Sequence, residues 1–128
     1  MSVDVREVGG ICIIHPNETR LIVGSAEDDF RAALNRVIDA GHLALAVDMA
    51  GVEYADARTI STLIESFKLL NRNGGSLCLY NLAEGMRDFF RQTVLDNLIE
   101  TRPNESAAVS FFANLPKRKR KGLRGLFG

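Results

Sequence analysis

Apolar side chains recur along this chain in two rhythms, short continuous runs and stripes at three- and four-residue steps, which predicts strands interleaved with helices. Val3 to Gly10 alternates apolar and polar positions up to Gly9-Gly10, and Ile11 to Ile14 is an apolar run closed by His15-Pro16-Asn17. Leu21-Ile22-Val23 before Gly24 makes a third short stretch, and the three are expected as hairpin-like neighbours. Ser25 with Asp28 has the form of a capping box, and Phe30, Ala33, Leu34, Val37 and Ile38 then mark a helix that stops at Gly41.

Residues 43–70 carry the strongest pattern. Leu43 to Val47 is a continuous apolar run ending in Asp48, the signature of a strand covered on both faces. After a short loop, Ile60, Leu63, Ile64, Phe67 and Leu70 form one helical stripe, with Asp56 placed as its N-cap and Asn73-Gly74-Gly75 as its end. Ser76 to Tyr80 is a further apolar strand, expected to lie parallel to residues 43–47 with the 57–72 helix crossing between them. Asn81 with Glu84 repeats the capping-box form ahead of a stripe of Met86, Phe89, Phe90, Thr93 and Val94. Leu98 to Thr101 suggests a brief strand. Pro103-Asn104 opens a last helix with Ala107, Ala108, Phe111, Phe112 and Leu115 on its apolar face.

The expected fold class is therefore α/β: a mixed sheet, antiparallel at its start and parallel afterwards, with about four helices packed mainly on one face. At 128 residues the chain has room for one well-cored domain, residues 1–115, followed by a tail at 116–128. No apolar stretch approaches the roughly 18 residues of a membrane span, and the N-terminus lacks the features of a secretory signal, which places the protein in the cytoplasm. Cys12 and Cys78 lie inside apolar runs and are expected as buried thiols.

The formal charge of zero conceals an asymmetry. The 16 Lys and Arg include six in residues 116–128, where there is no acid, so residues 1–115 carry ten bases against 16 acids, a net of −6. Lys117, Arg118, Lys119, Arg120, Lys121 and Arg124, with Leu123, Leu126 and Phe127 among glycines, suit contact with an anionic membrane surface. Nucleic acid is the lesser alternative and a solvated terminus the plain one.

Enzymatic chemistry has little support. His15 and His42 stand in turns without a partner at metal-ligand spacing, and the chain has neither a Walker-type phosphate loop nor a GxGxxG opening a helix, so no cofactor is expected. Asp56 has no second acid or base at a spacing that suggests proton transfer. A small α/β enzyme remains only as an outside alternative.

Residues 44–80, with Asp48, Gly51-Val52, Tyr54, Asp56, Gly74-Gly75 and Asn81, resemble the STAS domain of bacterial anti-sigma factor antagonists, and the likeness extends loosely over residues 5–113. The resemblance implies a regulatory binding module that docks on an anti-sigma factor of the histidine-kinase-like ATPase type. It implies a docking surface at the 53–62 loop and helix start, comprising Glu53, Tyr54, Asp56, Ala57, Arg58, Thr59 and Thr62. The family reads Asp-Ser-Ser-Gly at this helix start, with the second Ser phosphorylated by the partner. Here the positions read Asp56-Ala57-Arg58-Thr59, so the phosphoserine is lost to Arg58 and Thr59 is the candidate phosphate acceptor, against its plain reading as a helix-start residue. Arg58 sets a positive charge against the helix dipole unless Asp56, Glu53 or a partner carboxylate offsets it. The resemblance also admits a STAS-type cytoplasmic subunit of a membrane-associated ABC phospholipid-transport complex.

Overall fold

In the computed structural model, which describes residues 3–115, the apolar run at Ala44–Asp48 is β4, the middle strand of a five-stranded sheet. Its neighbours are β2 (Ile11–Pro16) on one side and β6 (Ser76–Tyr80) on the other, both parallel to it. Strand β1 (Val3–Val8) adds an antiparallel edge to β2, and β7 (Glu100–Arg102) a short parallel edge to β6. Ala44, Leu45, Ala46 and Val47 are all buried, as a strand covered on both faces must be.

The strand order explains where the helices lie. From β2 through β4 and β6 to β7 each crossover steps to the next strand in the same direction. Because such crossovers are right-handed, each helix must fall on the same face. Helices α1 (Ser25–Asp39), α2 (Ala57–Arg72) and α3 (Glu84–Arg91), with the single turn α4 (Leu95–Leu98), make these connections. Their Phe30, Leu34, Leu63, Leu70, Met86 and Phe90 form the main core with Ile14, Leu45, Val47 and Leu79 of the sheet. Helix α5 (Glu105–Ala113), capped by the Asn104 side chain on the Ala107 N–H at 2.9 Å, follows the last strand and covers the other face. There Ala108 and Phe112 rest on Ile13, Ala44, Ala46, Cys78 and Tyr80. The cysteines lie on opposite faces of the sheet, both buried thiols, so no disulfide can join them. Burial pushes the Cys78 thiol up to about 12.

Several local expectations give way. The third stretch does not join the hairpin: β3 is only Arg20–Leu21 and pairs in parallel with β5 (Tyr54–Ala55) in a separate two-stranded ribbon. Ile22 and Val23 are exposed, because the chain leaves the sheet to meet the loop after β4. Neither capping box forms. The N-caps are Gly24 and Ala83, without side-chain bonds. Asp28 instead pairs with Arg31 at 2.9 Å, and Asn81, at φ 59°, donates its amide to Asp48 at 3.1 Å. The third helix is shorter and its buried face narrower than its stripe predicts: α3 ends at Arg91, Thr93 closes onto the Phe90 carbonyl, and Phe89 and Val94 face outward. The fifth helix, beyond the four or so expected, is the single turn α4.

The end of α2 fixes the register of β6. The Gly75 N–H reaches the Leu70 carbonyl at 2.7 Å and the Gly74 N–H that of Asn71 at 3.2 Å, with Gly74 at φ 82°, the six-to-one and five-to-two bonds of a Schellman end. Gly75 then passes so close to β4 that a Cβ would lie 2.5 Å from the Leu43 carbonyl oxygen, which Ser76 needs for its own N–H at 2.8 Å. Gly75→Ala is therefore expected to lower stability by about 1–3 kcal/mol, the usual cost of overpacking. Gly85→Ala, in α3 with open space around it, should raise stability by about 0.5–1 kcal/mol. Urea denaturation of the two variants beside the parent measures both signs.

Candidate docking site

The loop between β4 and α2 is held at both ends by carboxylates. At its start, Asp48 accepts from the Ala50 N–H at 3.0 Å and from the Asn81 amide at 3.1 Å, while His15 Nδ1 lies 3.0 Å from the Asp48 carbonyl oxygen. The chain turns back under itself: the Met49 N–H bonds the Tyr80 carbonyl at 2.9 Å and the Val52 N–H that of Met49 at 3.0 Å, with both side chains buried. Glu53 and Tyr54 then give their N–H groups to the Thr19 carbonyl, which starts the β3–β5 ribbon.

At its far end stands Asp56, the N-cap of α2 as its position predicted. One carboxylate oxygen accepts from the Thr59 N–H at 3.0 Å, and the other from the Val23 N–H at 2.8 Å. These donors, Val23 first and Thr59 next, hold its pKa below the usual aspartate value. The cap thus ties together the helix start and the segment leaving β3.

The structure separates the expected surface residues into two groups. Glu53, Tyr54, Ala57 and Arg58 are exposed and Asp56 is half-buried. Thr59 and Thr62 are buried, because they lie on the inner side of the first two turns of α2. The Thr59 hydroxyl bonds the Leu21 carbonyl at 2.8 Å and stands 3.1 Å from Asp56. Thr62 donates to the Glu27 carboxylate at 2.6 Å.

Glu27 is the residue that sequence reasoning missed. This acid of the first turn of α1 is 1 % exposed and receives Arg31 at 2.6 Å as well as Thr62. The Nε of Arg58 lies 3.9 Å from it, so the charge that opposes the α2 dipole has an acid from α1 beside it. Neither Asp56 nor Glu53, the expected partners, supplies this pairing. The one available signal was spacing: Glu27, Phe30 and Leu34 share one helical face, where a carboxylate needs partners.

Beside the helix start runs a groove of about 710 Å³ lined by Glu53, Tyr54, Ala57, Ile60, Met86 and Phe89, with Ala55, Ser61 and Gly85 completing the wall. Tyr54 is 46 % exposed and Phe89 50 %, so two aromatic rings face solvent across it. Arg20 holds the Tyr54 ring from behind, its guanidinium carbon 4.8 Å from the ring centre. On the α3 side of the groove Met86 is core, as its stripe predicts, while Phe89, which reads as core from its spacing, faces outward. The tail bases Lys117 to Lys121 and Arg124 lie outside the described residues.

The family model for the STAS domain matches residues 2–108. The chain belongs to the STAS domain family. Among curated proteins no sequence matches it. Solved structures with the same fold include a protein from Thermotoga maritima described as an anti-sigma factor antagonist, 17% identical over 85% of this chain and 92% of that one, with TM-score 0.77. A STAS domain protein from Planctomyces limnophilus, also titled an anti-sigma factor antagonist, is 15% identical over 88% and 98%, with TM-score 0.79. The anti-sigma factor antagonist SpoIIAA in its unphosphorylated form is 15% identical over 88% and 99%, with TM-score 0.69. At these identities the likeness is one of fold, and the STAS fold accounts for the mixed sheet with helices mainly on one side. Among the described residues no helix is long and apolar enough to cross a membrane.

The depressed pKa of Asp56 sets a pH test. A carboxylate whose folded pKa is lowered contributes stability that is complete above its unfolded value and is lost as pH falls through the folded one. Asp56→Asn should melt below the parent at pH 7, and the gap should close steadily as the pH drops from about 4.5 toward 2, around and below the ordinary aspartate value of about 3.9. Thermal melts of both proteins across that range measure the closing gap; a constant gap would separate Asp56 from the acid limb.

Proposed function

We propose that this STAS domain is a non-enzymatic regulatory module, working in the cytoplasm, that docks on a protein partner through the groove beside the start of α2. By resemblance to the anti-sigma factor antagonists, the partner is an anti-sigma factor of the histidine-kinase-like ATPase type. The observation that carries this reading is the pair of solvent-facing aromatics, Tyr54 and Phe89, across an apolar groove that adjoins the expected docking loop. Exposed aromatics are the residues that anchor protein interfaces, and Arg20 already stacks on the Tyr54 ring. The lining is apolar apart from the Glu53 carboxylate and the hydroxyls of Tyr54 and Ser61, which suits contact better than bond-making.

Control by phosphate at the family's site is lost. Arg58 stands where the phosphoserine would be, a cation in place of an added charge of nearly −2. Thr59, one residue on, has its hydroxyl turned inward onto the Leu21 carbonyl, so a kinase would need the first turn of α2 to open. Binding by this module is therefore constitutive or controlled elsewhere.

A second reading, a STAS subunit of a membrane-associated ABC phospholipid-transport complex, rests on the tail. Its six bases and three large apolar residues suit an anionic bilayer beside which such a subunit would work.

Binding of the full chain to the captured partner should fall at least tenfold on Tyr54→Ala with Phe89→Ala, and also on Arg58→Glu. Surface plasmon resonance gives the affinities and mass spectrometry the partner. An ATP-binding kinase-like protein supports the first reading, a transporter ATPase the second, and groove variants that bind as the parent does defeat both versions of the docking site. After incubation with ATP and a kinase-like partner, Thr59 should carry no stoichiometric phosphate by mass spectrometry. The tail is tested by co-sedimentation with anionic vesicles: the full chain should bind weakly and lose affinity steeply with salt, while residues 1–115 stay in solution. Each base contributes about 1 kcal/mol at most, and Leu126→Ser with Phe127→Ser should weaken binding further. Equal sedimentation of the two lengths excludes the membrane, and tight DNA binding in its place would indicate nucleic acid.

A further inference from the structure

At the carboxyl ends of β6 and β7, sharing no lining residue with the docking groove, three arginines of a net-acidic domain surround one small cavity. It measures about 240 Å³ and is lined by Arg87 and Arg91 of α3, Asp96 of α4, Thr101 and Arg102 of β7, and Leu82, with Pro103 at its rim. The volume is below the roughly 300–1,000 Å³ of pockets for drug-sized ligands, so the occupant must be small.

Two of the guanidinium groups are positioned, and all three still have donors to give. Arg102 lies over the Phe111 ring at 4.8 Å, and its NH1 reaches Glu100 at 2.8 Å and the Thr101 carbonyl at 2.7 Å. Arg91 uses NH1 on Asp88 at 3.2 Å. Each guanidinium has five N–H donors, so most remain. The Arg87 side chain has no hydrogen bond or ion pair among the described residues. Three forked donors on one cavity match an oxyanion with several acceptor oxygens.

The acids around the cavity narrow the choice. Asp88 and Glu100 are already bonded to Arg91 and Arg102. Asp96 lines the cavity without an ion pair to any of the three arginines. A carboxylate is a hydrogen-bond acceptor only, so it repels an oxyanion that has no proton and accepts from one that has. Hydrogen phosphate has an O–H to give. Sulfate at neutral pH does not.

We propose that this cavity binds hydrogen phosphate, with Arg87, Arg91 and Arg102 donating to its oxygens and Asp96 accepting a hydrogen bond from its O–H. The site is separate from the docking groove and does not depend on it. The test titrates the 15N-labelled full chain at pH 7 with sodium phosphate, sodium sulfate and sodium chloride at equal ionic strength, following the amides of residues 82–102 by NMR. Saturable shifts are expected with phosphate, at least tenfold weaker ones with sulfate, and only a linear salt drift with chloride. Arg87→Gln with Arg91→Gln, both exposed changes on α3, should remove the saturable response. Asp96→Asn should bring phosphate and sulfate together. Phosphate shifts that match chloride, or that persist in the double variant, overturn the site, and equal binding of phosphate and sulfate by the parent overturns the role of Asp96.

Discussion

The grip of one carboxylate on two separated stretches of chain sets the shape of the surface beside the start of α2. Asp56 holds the N–H of Val23 and of Thr59 at once, so the segment leaving β3 and the first turn of α2 are fixed against each other. The Thr59 hydroxyl repeats the tie through the Leu21 carbonyl. The buried Met49 and Val52 beneath leave the loop no slack. What emerges above is a rigid lip with Tyr54 on it, facing the α3 residues Met86 and Phe89. A lip of this kind loses little freedom when it is covered, which is the condition under which aromatic contact area becomes affinity.

The second constraint is the burial of Glu27. An acid with almost no exposed surface must find its donors inside, and it finds Arg31 and Thr62, with the Arg58 guanidinium near by. Removing one partner of a buried charge typically costs about 3–5 kcal/mol, because the other charge is left stranded. Arg58 is more than half exposed and sits at the rim of this arrangement, so its share is smaller than that of Arg31 or Thr62. It remains available to something outside. Its charge is permanent and positive.

What was legible in the sequence was whatever depends on local periodicity. Helix α2 runs from residue 57 to 72 as its stripe and its Asn73-Gly74-Gly75 end predict, and β4 and β6 lie parallel around it. The Asp56 cap was legible because its donor is three residues away on the same helix. The failures share a cause, which is that the deciding partner lies far along the chain. Ser25 and Asn81 have capping spacing, yet Asn81 is drawn to Asp48 across 33 residues. Leu21 to Val23 has strand composition, but Asp56, with Glu53 and Tyr54 bonded to the Thr19 carbonyl just before it, takes it out of the sheet. Phe89 and Phe90 are chemically alike neighbours, and only the packed α3 shows that one points in and the other out. The Glu27 cluster joins residues of two helices over 35 positions, a relation that no window of sequence contains.

The placement of the two cysteines has a consequence of another kind. Cys12 belongs to the face packed under α1 and Cys78 to the face under α5, two strands apart, and burial holds both thiols above their ordinary pKa. Neither can react while its own face is closed. The molecule thus has one silent chemical clock on each side of its sheet. A thiol reagent would read the opening of the three-helix layer at residue 12 and the lifting of α5 at residue 78, two motions that a single fluorescence or melting curve would merge into one.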